Sequence, residues 1–86
     1  MYYDTLKLVM HMHKTYIELM RELREDNDYT QQQIADVLGI SQTMYARYER
    51  GANEFPIRHL IKLARFYQVS TDYILGLSKQ KKLNRF

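Results

Sequence analysis

Gln42, Thr43, Ala46, Arg47 and Arg50 fall on one side of a short helical stretch, while Tyr45 and Tyr48 fall on the other. The first set holds no general acid, base or nucleophile. It holds groups that match the edges of base pairs. Glutamine can pair with adenine through two hydrogen bonds, arginine with guanine in the same way, and a threonine or alanine methyl can touch the methyl of thymine. The bland counterpart is an αα-hairpin with a polar solvent face. A single T-x-x-Q box or one glycine turn would not exclude it, but the whole pattern from Thr30 to Gly51 is far more specific.

Two elements must position that face. Thr30 can cap the first by accepting from a free backbone N–H, and Gln33 three residues on can reach back, which makes a capping box. Ile34, Ala35, Leu38, Ile40, Tyr45 and Tyr48 form the expected buried face. Ala35 stands where the two helices cross closely. Gly39 tolerates the left-handed turn that reverses the chain, and Ser41 caps the next helix at once. Two helices joined by a turn of this length form a helix-turn-helix, whose second helix suits a DNA major groove.

This segment resembles the lambda Cro and repressor type of helix-turn-helix, the XRE family. Upstream, Leu23 and Arg24 precede the Thr30-Gln31 pair in LRELREDNDYTQQQIA. Downstream, YERGANEFPIRHLIKLARFYQVSTDYILGLS is similar to the later part of the family, so the resemblance covers about residues 16–78. It implies an all-α, five-helix lambda repressor-like domain that binds operator DNA as a dimer. It implies base reading by Gln42, Thr43, Ala46 and Arg47. It places Gln31 and Asn53 at phosphates, with Tyr45 and Arg50 as further phosphate-contacting candidates. Arg24 and Glu49 match a structural ion pair between the first and third helices. Asp28 stands where the family often has glycine, so an Asn27-Asp28 turn must serve. Ala46 offers no hydrogen bond, which leaves the base preference open.

Eighty-six residues, 45% of them hydrophobic, suit one domain with a modest core. There is no cysteine, hence no disulfide and no thiolate metal site, which fits a cytoplasmic location. The longest apolar run near the N-terminus is Leu8-Val9-Met10, too short for a spanning helix or a signal peptide. His11-x-His13 could chelate from a strand, but no further ligand stands nearby, so no metal is expected. No nucleophile motif or phosphate loop appears, and five short helices leave no substrate pocket. No catalytic residue, cofactor or small-molecule substrate is expected. Eight tyrosines suggest a stacking platform, yet Tyr16, Tyr29, Tyr45, Tyr48, Tyr67 and Tyr73 all fit packing positions.

Periodicity predicts the remaining helices. Helix one runs from about Lys14 to Asp26 with Tyr16, Met20 and Leu23 inward. Pro56 sits in the first turn of a helix whose apolar stripe is Ile57, Leu60, Ile61, Leu63, Ala64 and Tyr67. His59 is assigned to the surface or rim. Ser70 caps a last short helix with Tyr73, Ile74 and Leu75 on its apolar side, and Gly76 ends it. The expected organisation is an N-terminal extension over 1–13, a helix-turn-helix domain over 14–78 and a basic tail over 79–86. The extension reads equally as helix or strand and is a candidate dimerisation arm. The tail could attract phosphates or simply be a solvated, frayed terminus.

The net charge of +3 suits a polyanionic partner. Residues 30–56, however, carry two arginines against three carboxylates. Two functions therefore stand. The first is a sequence-specific regulator of transcription, a homodimeric repressor that reads double-stranded DNA. The alternative is a protein-interaction module or antitoxin with the same fold, whose main partner is another protein.

Overall fold

The computed structural model describes residues 15–81 as five helices, with no β-strand among those residues. They are α1 (Tyr16–Asp26), α2 (Gln31–Leu38), α3 (Gln42–Glu49), α4 (Ile57–Tyr67) and α5 (Thr71–Ile74). The all-α, five-helix architecture expected from the sequence is the one observed. None of these helices is long and apolar enough to cross a membrane. The extension over 1–13, with His11 and His13, and the tail beyond Lys81 lie outside the described residues.

Polar caps set the helix starts. Thr15, Thr30, Ser41 and Ser70 each adopt an extended backbone and accept from an N–H three residues on, at 3.2, 3.1, 3.1 and 3.0 Å. Helix α1 thus begins at Tyr16 rather than about Lys14, because Thr15 takes the cap. Around α2 the box is reciprocal: Thr30 N–H donates to Gln33 Oε1 at 2.8 Å. Gly39 takes φ +72°, and Ile40 N–H returns to the Ala35 carbonyl at 3.0 Å. That left-handed residue leaves Gly39, Ile40 and Ser41 to link α2 and α3. Asp28, at φ +59°, does the same work in the turn after α1. Pro56 occupies the cap position just before α4 rather than its first turn. Helix α5 ends at Ile74 with Leu75 as its C-cap, and Gly76 follows at φ +79°.

The core gathers Met20 and Leu23 of α1, Ile34, Ala35 and Leu38 of α2, Tyr45 and Tyr48 of α3, Leu60, Leu63 and Ala64 of α4, and Ile74 of α5. Leu19 is buried where the sequence pointed to Tyr16, which is half-buried. Ile40 is also only half-buried. Helix α4 departs most from expectation. Ile57 is 74% exposed and Ile61 40%, while His59 is buried. The cause is Phe55, a loop residue that packs its ring 4.9 Å from Tyr48 and 6.2 Å from Tyr45. His59 lies 6.0 Å from Tyr48 and 6.4 Å from Phe55. This aromatic cluster turns the His59 side of α4 inward and the Ile57–Ile61 side outward. Burial, with Arg58 and Lys62 nearby, holds the His59 imidazole below its usual pKa range.

Tyr29 packs its ring 5.3 Å from Phe66 and 6.3 Å from Tyr67, beneath the turn that precedes α2. The first tail residues are held in place. Ser70 donates its N–H to Lys81 O at 2.9 Å and its hydroxyl to Gln80 O at 3.1 Å, and Lys81 Nζ lies 5.8 Å from the Tyr73 ring centre.

Ala35 is fully buried between α2 and its neighbours. Ala35→Leu should cost about 1–3 kcal/mol through overpacking. Thermal unfolding with calorimetry checks this, and an unchanged melting temperature would contradict the packing described.

Candidate nucleic-acid interface

Helix α3 buries Tyr45, Tyr48 and Glu49 and turns its other side to solvent. At 3.6 residues per turn, Thr43, Ala46, Arg47 and Arg50 fall within an arc of about 100°. Thr43, Arg47 and Arg50 are exposed and Ala46 half-buried. Gln42 sits at the edge of this arc, half-buried beside α2. The four residues expected to read bases thus share one face and its margin.

Gln31 joins them. Gln42 Nε2 donates to Gln31 Oε1 at 2.7 Å, so the first residues of α2 and α3 are tied side chain to side chain. Gln31 Nε2 in turn donates to Glu49 Oε1 at 3.3 Å. Glu49 is the hub. Arg24 grips its carboxylate with two hydrogen bonds, Nε to Oε2 at 2.9 Å and Nη2 to Oε1 at 2.7 Å. The third nitrogen of Arg24 donates to the Tyr29 carbonyl at 2.9 Å. Arg21 adds a bond from Nη2 to the Glu49 backbone carbonyl at 3.2 Å and brings Nε to 3.6 Å from Oε1. The first helix is thereby fastened to the C-terminal end of α3, where the guanidinium charges also oppose the helix dipole favourably.

At that end of the helix, Arg47 Nε donates to Asn53 Oδ1 at 2.7 Å, which draws the following loop onto the outer face. The Ala52 and Asn53 N–H groups both point back to the Arg47 carbonyl, at 2.9 and 3.4 Å. The backbone of this loop is therefore turned inward at Asn53, and the Asn53 side-chain amide is the donor left to face out. Gly51 at φ +79° makes the turn, with Ile17 Cδ1 only 3.3 Å from where a Cβ would stand. Arg50 is exposed at the end of α3.

Tyr45 does not belong with the phosphate-contacting candidates. Its side chain is fully buried, pointing toward Glu49 and the rings of the core, so it has no access to a ligand. Burial, and then the nearby Glu49 carboxylate, push its phenol above the usual range. Neither Tyr45 nor Tyr67 makes a side-chain hydrogen bond of normal geometry, although the Glu49 charge acts on both.

Burial disfavours charge on Glu49, but Arg24, Tyr45 and Gln31 outweigh it and hold the carboxyl below its ordinary value. The family resemblance implied the Arg24–Glu49 pair at this hub. The participation of Arg21 carried no such signal, because it lies among alternating exposed charges on α1.

A helix-turn-helix family model matches residues 20–74. The chain is 41% identical over 63 residues to the uncharacterized HTH-type transcriptional regulator YobD of Bacillus subtilis (strain 168), covering 73% of this chain and 56% of that protein. It is 37% identical over 65 residues to the HTH-type transcriptional regulator ImmR of the same organism, with coverage of 76% and 51%. A similarity of 34% over 50 residues reaches the cryptic phage CTXphi transcriptional repressor RstR of Vibrio cholerae, covering 58% of this chain and 45% of RstR. The chain thus spans about half the length of these relatives. Among solved structures, a transcriptional regulator from Listeria innocua superposes with a TM-score of 0.69 at 27% identity, over 85% of this chain and 66% of the other.

Glu49→Gln removes the buried carboxylate that Arg24 and Arg21 share and should cost about 3–5 kcal/mol at neutral pH. The parent should also lose stability on acidification. An unfolded Glu49 takes up its proton near its ordinary value of 4.5, whereas the folded one does so only lower. The stabilisation is therefore complete above that value and disappears as pH falls through the depressed one. Urea titrations of both proteins between pH 7 and pH 3 check this; a parallel acid limb in the variant contradicts it.

Proposed function

The chain belongs to the Cro and repressor (XRE) type of helix-turn-helix family, and from that premise we propose that it is a non-enzymatic regulator of transcription that binds double-stranded DNA. In this reading α3 enters the major groove. Gln42, Thr43, Ala46 and Arg47 meet base edges, while Gln31, Arg50 and Asn53 meet phosphates, helped by the free N–H groups at the start of α2. It acts as a repressor in the cytoplasm by occupying an operator and denying it to polymerase.

One observation carries the reading. The polar side of α3 is uncovered while its opposite side is locked into the core, and two of its side chains, Gln42 and Arg47, are held by hydrogen bonds with Gln31 and Asn53. Such preordering lowers the entropy lost on binding. The excess of carboxylates in residues 30–56 favoured a protein partner instead. That excess is not on the surface: Glu49 is buried and paired with Arg24 and Arg21. Among the remaining carboxylates of the segment, Asp36 is engaged by Gln32 at 2.8 Å.

A homodimer completes the reading, because two α3 helices about 34 Å apart would fit successive major grooves. Of the large apolar side chains exposed among the described residues, Ile57, Ile61, Leu75 and Leu77 mark a surface for a second copy. It is lined at its base by Leu60, Thr71 and Ile74. The extension over 1–13 remains a further candidate for the same role.

Gel retardation of random duplexes at two salt concentrations tests the DNA reading. The protein should retard duplex, and less so as salt rises. Once a preferred duplex is known, Gln42→Ala should cost about 1–3 kcal/mol on it and relax choice at one base pair. An equal loss on every sequence would remove Gln42 from base reading. Ile61→Asp should convert dimer to monomer in sedimentation, whereas an unchanged mass would place the interface elsewhere.

A further inference from the structure

Helix α3 closes with two crossed backbone bonds. Gly51 N–H donates to the Tyr48 carbonyl at 3.1 Å and Ala52 N–H to the Arg47 carbonyl at 2.9 Å, with Gly51 at φ +79°. This closing motif fixes where the chain goes next. Two residues beyond Asn53, the buried Phe55 ring packs against Tyr45 and Tyr48. Asn53 is thus held between two anchors, and its Oδ1 accepts from Arg47 Nε at 2.7 Å.

An arginine side chain has donors and no acceptor, so the Asn53 amide must turn its oxygen toward Arg47. Its Nδ2 is left as a donor of the kind a phosphate oxygen takes. The consequence for Arg47 is larger. A guanidinium can grip a partner side-on, through Nε and one Nη, or end-on, through both Nη nitrogens. Asn53 occupies Nε and closes the first way. What remains is a fork of two parallel donors. Guanine shows two acceptors in the major groove, O6 and N7, and satisfies both. Adenine shows the N7 acceptor beside the N6 donor, and so opposes one of them. An untethered arginine on this exposed face could turn instead to a phosphate, which carries no sequence information.

We propose that Asn53 is a positioning residue that holds Arg47 end-on toward the bases and so selects G·C at the base pair Arg47 meets. This rests on the reading of α3 as a DNA-recognition helix. One carboxamide then serves two ends: Nδ2 seats the loop on the backbone, and Oδ1 sets the choice of base.

The test is competition between duplexes that differ only by G·C or A·T at the position where Arg47→Ala relaxes choice, with thermal melts to establish folding. The parent should prefer G·C by about tenfold or more, and Asn53→Ala should reduce the ratio to within about threefold. The lost phosphate contact weakens both duplexes alike, so only the ratio reports the tether. Asn53→Asp separates the two ends. It keeps an oxygen for Arg47 but loses the outward donor, so both duplexes should bind more weakly while the ratio stays near the parent's. A folded Asn53→Ala that keeps the parent's ratio overturns the proposal, as does an Asn53→Asp whose ratio falls to that of Asn53→Ala. A parent that selects A·T there, or an Arg47→Ala that weakens every duplex equally, overturns it too. A parent that retards no duplex at all overturns the DNA-binding reading itself, and this assignment with it.

Discussion

The ion pair between Arg24 and Glu49 is the constraint on which the rest of this structure depends. Two short helices joined by three residues cannot hold a fixed crossing alone, because isolated helices of eight residues are barely stable in water. Here α3 gains its stability from the ring cluster on one side and from a buried carboxylate on another. The carboxylate is gripped by α1 at 2.7 and 2.9 Å and touched by α2 through Gln31. Three helices thus converge on one side chain. A buried charge pair of this kind adds little net stability over an apolar substitute. Its value lies in direction: guanidinium and carboxylate meet in one planar geometry, and that geometry sets the angle at which α3 stands out from the domain.

The outer face inherits its order from this hub. Gln42 is held by Gln31, and Arg47 by Asn53, so both ends of the exposed face are braced by residues from neighbouring segments. The charge balance of the segment takes a different meaning once burial is known. Counted along the chain, carboxylates outnumber arginines between residues 30 and 56. Counted on the surface, Glu49 drops out because it is already neutralised below it. The face toward solvent is more receptive to a polyanion than the linear count implies.

Local signals made the first half of the domain legible in its sequence. Thr30 with Gln33, Gly39 and Ser41 each act within four residues of the bonds they make, so caps and turn can be placed before any tertiary contact is known. The second half was less so. A stripe of six apolar residues on α4 is wider than its neighbours can cover, and periodicity cannot say which edge stays out. Phe55 settles it by packing from the loop against Tyr48 and His59, a contact between residues whose apolar spacing shows no helical period. Tyr45 is buried, as its spacing on α3 indicated, and that burial removes it from the phosphate-contacting candidates among which the family resemblance had also placed it. The hydrogen bonds among Gln31, Gln42 and Glu49 join three helix positions and have no sequence signature beyond residue type.

The central claim is that the open face of α3 reads the sequence of a duplex. Selection of bound duplexes from a random pool tests it most directly, run in parallel with the parent and with a variant in which the face is blanked, Gln42→Ala with Arg47→Ala. The account predicts that the parent enriches a two-fold symmetric sequence whose half-sites lie about 10–10.5 base pairs apart. The blanked variant should retain duplex without enriching that sequence. A parent pool that stays random, or a blanked variant that enriches the same sequence as the parent, contradicts it.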